Sequence, residues 1–426
     1  MSRQSLLPLM VAAFLCSIFV FCVDPAHSQG RGQGRGQAAA LPDGPGKEMV
    51  QTNCTKCHAT NLIVNSGGYT RQGWEDLFNT MVAVPKEESI VMADYLAKNF
   101  PEQPRPAAVV IPGPVTVSFK EWAAPSLGSR PHDPEPGPGG TIWWTGMFAN
   151  VLGRLDPKTG QMKEYPAKTP ASGPHGLAFD KAGNLWFTAN SKSYIGKLDP
   201  KTGDITEYKM PEGVRDPHTP LFAPNGILFF TAQNANYVGR LDPKTGDIKV
   251  VKTPTDRANP YGMVFDTKGV PFVCDFGTNK IIRIDPNTLD IKEYELPSAE
   301  SRPRRIAIAP DDIIWYADYS RGYLGRLDPK TGKVTDWASP SGPKSQPYGI
   351  TYLNGAIWYS ESAVRPNTLV RFDLKTEKFQ TWIVPGGGGV IRNMKSTPDG
   401  KLVIAESGVN KVGLIEIGGA AMSKSQ

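Results

Sequence analysis

A repeat constrains this chain more than any other feature. Leu-Asp-Pro stands at Leu155, Leu198, Leu241 and Leu327, Ile-Asp-Pro at Ile284, and degenerate copies at Phe372-Asp373-Leu374 and Ile415-Glu416-Ile417. Successive copies lie 43, 43, 43, 43, 45 and 43 residues apart. A period in the forties, with short apolar runs punctuated by Gly, Pro, Asn and Asp, specifies four-stranded β-propeller blades rather than a helical solenoid. Seven copies give seven blades. One blade reads as strand A at 174–179, strand B at 185–188, strand C at 195–198 and strand D at 205–208, with Asp199-Pro200-Lys201-Thr202-Gly203 as the C–D turn. The two ends are complementary: 115–122 matches a D strand with no A to C before it, and 412–417 a C strand with no D after it. The expected fold is therefore mainly β, a seven-bladed propeller over 115–418 closed by its N-terminal strand, which leaves no open sheet edge. A small all-α domain precedes it.

A propeller takes roughly 300 residues, so the rest of the 426 needs its own reading. Residues 1–28 open with Arg3, run apolar over 6–23 and end in Ala26-His27-Ser28, the pattern of a cleaved signal peptide. Export, to the periplasm or beyond, is expected; left uncleaved, the same apolar run would anchor the chain in a membrane. Residues 29–43 form a flexible Gly/Arg/Gln spacer, 101–114 a Pro-rich linker and 419–426 a disordered tail. A formal net charge of +6 is mild for this length, and Arg31 and Arg35 of the spacer supply part of it, so no nucleic-acid surface is expected.

Cys54-Thr55-Lys56-Cys57-His58 is the attachment motif for c-type haem. Two thiols three apart can each add to a haem vinyl group, and the adjacent imidazole then faces the iron. A zinc site would need a further Cys or His nearby, but the next are His132 and Cys274. A thioredoxin-like pair would need a βαβ context, and a plain disulfide leaves His58 without a role. Helical patterns follow at 73–81 and 86–100. Segment 44–100 thus resembles a small single-haem cytochrome c domain. The resemblance implies one covalent haem c on Cys54 and Cys57, with His58 and Met81 as axial ligands; Met92, inside the last helix, is expected to pack in the core.

Aligned blades give two informative columns. The start of strand A holds His132, His175, His218, Tyr261, Arg304, Tyr348 and Arg392. The end of strand B holds Gly146, Ala189, Ala232, Asp275, Asp318, Glu361 and Glu406. The two columns are expected to be cross-strand neighbours ringing the axial channel. Three imidazoles would then face an arc of carboxylates, an arrangement suited to acid/base work or to a divalent metal. In the alternative use, Arg304 with Asp318, Arg392 with Glu406, Tyr261 with Asp275 and Tyr348 with Glu361 are buried pairs that plug the channel. Trp143, Trp186, Trp315 and Trp358 share one strand B position and are expected in the core, as is Cys274.

The repeated Pro-His/Tyr-Gly-Ile/Leu, Leu-Trp-Phe-Thr and Ile-Gly-Lys/Arg-Leu pattern resembles the virginiamycin B lyase (streptogramin lyase) family. That likeness implies a seven-bladed propeller that opens a cyclic depsipeptide by metal-assisted elimination. It also implies a base in Pro-His-Gly, one metal-binding Glu two residues earlier and another at the end of the next strand B. Here His175 keeps Pro-His-Gly, but Gly173 and Asn190 stand at the carboxylate positions. His218 has Asp216 two residues before it, followed by Thr219 and Gln233. The function expected first is electron transfer by an exported haem protein, with His132, His175 and His218 acting on a small-molecule substrate or redox partner protein at the channel. A lyase or hydrolase centred on His175 or on His218 with Asp216, and a non-catalytic binding propeller, are the alternatives.

Overall fold

The computed structural model describes residues 39–56 and 59–419. The leader, nearly all of the spacer, Cys57, His58 and the last seven residues lie outside the described residues. Within them, 28 strands form seven four-stranded antiparallel sheets. Blade two comprises Pro174–Phe179, Leu185–Ala189, Tyr194–Leu198 and Ile205–Lys209 as strands A to D. Strand B is buried along its whole length in all seven blades, because both of its faces meet a neighbouring blade. Strand D of blade two has no buried residue and alternates between half-buried and exposed positions, as expected at a rim.

Blade-to-blade packing holds the ring together. Seven apolar clusters each join two consecutive blades; Trp186 and Ile195 of blade two pack with Leu228, Phe230 and Leu241 of blade three, and the circle closes where Trp144 and Leu155 of blade one meet Val403, Val412 and Leu414 of blade seven. The repeated tryptophans are core residues: Trp143, Trp186, Trp315 and Trp358 are at most 3% exposed. Each stacks on a strand D aromatic at 5.3–5.6 Å. The glycine of Ile-Gly-Lys-Leu has a steric reason, since a Cβ on Gly196 would lie 2.2 Å from the Phe187 ring. Val115–Ala123 runs antiparallel to Lys411–Gly419 as the outer strand of blade seven.

At the start of strand A every blade carries the same irregularity. In blade three Pro217 pairs with Ala232 and the next pair is Pro220 with Phe230, so His218 and Thr219 together oppose Thr231 alone. Such a β-bulge turns two successive side chains to one side and sharpens the local twist. In four of the blades a hydroxyl from strand B pins it. Thr231 accepts a hydrogen bond from the Thr219 N–H (3.1 Å) and donates to the Tyr261 carbonyl of the next blade (3.0 Å). Thr145 and Asp133, Thr188 and Gly176, and Ser360 and Gly349 repeat the arrangement, bonding on to the carbonyls of His175, His218 and Ile391.

The N-terminal part of the described chain is helical: α1 (Lys47–Cys54), α2 (Asn61–Val64), α3 (Arg71–Asn79) and α4 (Lys86–Asn99). Thr70 caps α3 by accepting from the Gly73 N–H. Val50, Ile63, Trp74, Phe78, Met92, Tyr95 and Leu96 form their common core. Residues 101–114 contain no helix or strand, yet Val109 and Ile111 hydrogen-bond to Thr381 on blade six, which holds this stretch against the propeller.

The helices also touch the propeller directly. The Gly128 N–H donates to the Thr80 carbonyl (2.8 Å). Gly128 has φ +65, and a Cβ there would meet the Met81 backbone at 3.1 Å, so glycine suits this contact on both counts. Arg365 donates to the Gly68 carbonyl (2.9 Å) and lies 3.5 Å over the Tyr69 ring. Gly128 belongs to the loop leading into strand A of blade one, and Arg365 to the B–C loop of blade six. Both loops lie at the end of the propeller where A strands begin and B strands finish.

A test of the hydroxyl staple is Thr188→Val, which preserves shape but strands a buried N–H and a buried carbonyl. Urea unfolding should show a loss of about 1–3 kcal/mol for each group stranded. Unchanged stability would mean that the hydroxyl does not hold the bulge.

Candidate axial site

Because the bulge aims the second and third residues of each strand A at the axis, the first column does gather there. The rings of His132 and His175, His175 and His218, and His218 and Tyr261 follow one another at 3.8, 3.8 and 3.9 Å, tilted by 45°, 45° and 51°. The Tyr261 and Tyr348 hydroxyls share a hydrogen bond of 2.5 Å across the axis. The Arg304 guanidinium sits 3.9 Å over the Tyr348 ring, 4.4 Å over Tyr319, 4.6 Å over Phe276 and 5.1 Å over Tyr261. The following residues add a second layer, in which Arg305 reaches Asp133 at 2.7 Å and the same carboxylate oxygen lies 3.0 Å from His132 Nδ1. Further along the innermost strands the channel widens into a cavity of about 330 Å³, lined among others by Asp133, Thr219, Arg305 and Asn393.

The electrostatics are lopsided. Arg130, Arg304, Arg305 and Arg392 all act on His132, against the single carboxylate Asp133. Burial first, and the neighbouring arginines second, push the His132 imidazole well below its ordinary value. Burial lowers His175 and His218 likewise, each reinforced by the next histidine along the row. The three rings are therefore neutral at physiological pH. Burial raises the Tyr348 phenol, but Arg304, Arg392 and Arg305 outweigh it and hold the group below the usual phenol range.

The second column does not join this ring. The cross-strand partner of Asp275 is Pro260 rather than Tyr261; that of Asp318 is Pro303, of Glu361 Pro347 and of Glu406 Ile391. A one-residue offset puts a side chain on the opposite face, so the four pairs expected to plug the channel do not form. Asp318 instead accepts from the Arg302 N–H (2.9 Å) and pairs with Arg321 (3.4 Å). Glu361 is satisfied by Ser339, Ser341 and Thr368. Asp275 and Glu406 are fully buried, and the Asp275 carboxyl has no hydrogen-bond partner. Burial, with Glu293 beside one and Glu121 beside the other, pushes each up to about 8.

Asp216 stands on the loop into strand A of blade three, with φ +63. Its carboxylate accepts from the side chains of Asn190 and Asn234 and from the Asn234 N–H (3.0 Å), and burial raises it to about 6. His132, Asp133 and His175 place ligand atoms within 4.8 Å of one another, close enough for a metal. The Asp133 oxygen, however, is already bound to Arg305, and the surrounding guanidiniums oppose a cation. In the helical part, Cys54 ends α1 half-buried against the core, and Met92 is completely buried with its sulfur 3.8 Å from Asn53 Nδ2. Met81 is half-buried where α3 meets the propeller loop.

The sequence pattern of the Virginiamycin B lyase family matches residues 114–352 and, overlapping, 288–424. The chain belongs to that family. Virginiamycin B lyase from Staphylococcus aureus is 23% identical over 70% of this chain and 99% of its own, with a TM-score of 0.65. A streptogramin B lyase is 25% identical over 71% and 98%, also at 0.65. Hydrazine synthase from Kuenenia stuttgartiensis is 14% identical over 69% and 97%, at 0.58, a likeness of fold. No curated protein sequence gives a significant match. Family membership covers the propeller; the helices lie outside the matched residues.

Column comparison alone misses Arg130, Asp133, Arg305, Phe276 and Tyr319. A signal for the second layer was present, since Pro131, Pro174, Pro217, Pro260, Pro303 and Pro347 open strand A in six blades, and proline in sheets is confined to first positions, edges and bulges.

The buried acids give a pH test. A folded-state carboxyl raised from 3.8 or 4.5 to about 8 binds its proton more tightly than the unfolded chain does. Its favourable contribution is complete below about pH 4 and is lost as pH rises through about 8. The three neutral imidazoles act in the opposite sense below about pH 6.5, where the unfolded chain takes up protons that they refuse. Calorimetric Tm should therefore fall from pH 7 to pH 9, and D275N/E406Q should flatten that fall. Identical slopes for variant and wild type would refute it.

Proposed function

We propose that this chain is an exported haem c protein that exchanges electrons with a small molecule or redox partner held at the axial mouth of its propeller. The observation that carries this reading is the seat of the helical segment. Its contacts through Thr80, Gly68 and Tyr69 fall on the loops at the end of the propeller where the imidazole row opens. Met81, read as the sixth iron ligand, lies against Gly128, two residues before Arg130.

The described residues suit a haem on Cys54, Cys57 and His58. Cys54 stands at the end of a helix beside an apolar core, and Leu62 and Val64 of α2, soon after the motif, remain 37% and 38% exposed and could cover a porphyrin face. When bound, the haem would supply one-electron chemistry. Around the substrate, the neutral imidazoles of His132, His175 and His218 would donate or accept hydrogen bonds, and the packed rings of Tyr261, Tyr319 and Tyr348 would exclude water. Residues 1–28 would direct export to the periplasm.

A second reading, a lyase-like C–O elimination with His218 or His175 as base, is favoured by the family itself. The donor set does not fit the divalent metal of that chemistry. Gly173 offers no ligand, Asn190 and Asn234 occupy the Asp216 carboxylate, and Arg305 occupies Asp133.

Expression in a host able to attach haem separates the readings. One covalent iron per chain, lost in C54A/C57A, is expected; an iron-free wild type, or redox-independent opening of a streptogramin B ring, would favour the lyase. Met81→Ala should abolish the iron–sulfur absorption band and lower the haem potential, whereas Met92→Leu should cost stability and leave the band in place. The reverse pattern would transfer the ligand role to Met92.

A further inference from the structure

We propose that Arg304 and Arg392 form an oxyanion site at the axial mouth, which takes the carboxylate or phosphate-like group of a small anionic ligand. This deepens the preceding reading and rests on it for the mouth as the place where substrate binds.

Buried arginines in proteins are normally paired, because an unpaired charge out of water is costly. Arg305 follows that rule through Asp133. Arg304 does not: it is 5% exposed, its Nε has no hydrogen-bond partner, and its polar contacts are with the hydroxyls of Tyr261, at 3.5 Å, and Tyr319, neither of which is a carboxylate. Four aromatic faces support its charge without neutralising it. Arg392 Nε is likewise buried and unpartnered. The acids that sequence alignment places opposite these two, Asp318 and Glu406, are turned away by the bulge. Arg130, in the loop before strand A of blade one, lies 4.6 Å over the Phe148 ring.

Among the described residues Arg304 and Arg392 thus have no carboxylate partner, and Asp133 is engaged by Arg305. The histidines cannot supply the missing negative charge. One of them, His175, leaves Nδ1 buried and without a partner, a further polar atom waiting for a ligand. An anion satisfies all of these at once: it neutralises the cations and accepts from their fixed N–H forks, which match planar or tetrahedral oxyanions. A divalent metal or a cationic ligand would add to the repulsion. The ligand class is therefore an organic acid or a phosphorylated or inorganic oxyanion.

The test is isothermal titration calorimetry on the full chain as expressed in a haem-attaching host, with two probes, malonate and inorganic phosphate, for wild type, R392Q, R304Q and the exposed-turn control K158Q. Saturable binding, weakened about tenfold or more in R392Q and unchanged in K158Q, is expected, since a charge-assisted hydrogen bond carries at least that factor. Tighter malonate assigns the site to organic acids, and tighter phosphate to phosphoryl or inorganic anions. R304Q removes a packed side chain and can cost folding; R392, half-exposed, keeps the test decisive. Absence of binding at millimolar concentration, or binding that R392Q leaves intact, overturns the proposal. Because the readout is heat of binding and not electron transfer, a protein that binds malonate but carries no haem would sink the function proposed above and leave this site standing.

Discussion

Everything distinctive about this propeller depends on the β-bulge at the start of strand A. A regular strand would point alternate residues at the axis and leave the next one between blades. With two residues set against one, His218 and Thr219, or Arg304 and Arg305, both reach the channel. Thr145, Thr188, Thr231 and Ser360 satisfy the backbone groups the bulge releases and tie each blade to the next. Where Cys274 replaces the hydroxyl, its sulfur lies 3.9 Å from the Arg305 carbonyl. In blades five and seven Ala317 and Ala405 stand at that position and offer no side-chain hydrogen bond.

Two electrostatic environments follow from that geometry. On the axis, cations outnumber anions, imidazoles stay neutral and arginines rest on aromatic faces. Behind the bulge, buried carboxylates lie among strand C and D neighbours, and two of them hold protons near neutrality. Strand pairing alone separates the two sets. In this geometry amides and guanidiniums engage the carboxylates nearest to the histidines.

The propeller was legible in the sequence because its signals are local and repeated: a fixed period, a turn with Pro and Gly at defined positions, and a tryptophan in one strand B column. The gathering of His132, His175 and His218 was legible for the same reason. Their surroundings were not. A column alignment assumes uniform register, so it pairs Arg304 with Asp318, and a bulge of one residue reverses that inference. Arg130 lies in a loop before the repeat unit, and the seat of the helices depends on Gly128 and Arg365, residues with no signature of their own. Cys54, Cys57 and His58 are the opposite case, a motif read wholly from sequence, whose last two members lie outside the described residues.

In the proposed function a haem lies close to the imidazole row. Five histidines make this directly measurable: one belongs to the leader, one to the motif, and three to the axis. With nitrogen-labelled histidine, the side-chain NMR signals of His132, His175 and His218 should shift or broaden when the iron passes from the ferrous to the paramagnetic ferric state. Three axial signals at identical positions in both oxidation states would contradict a haem at the mouth of the propeller.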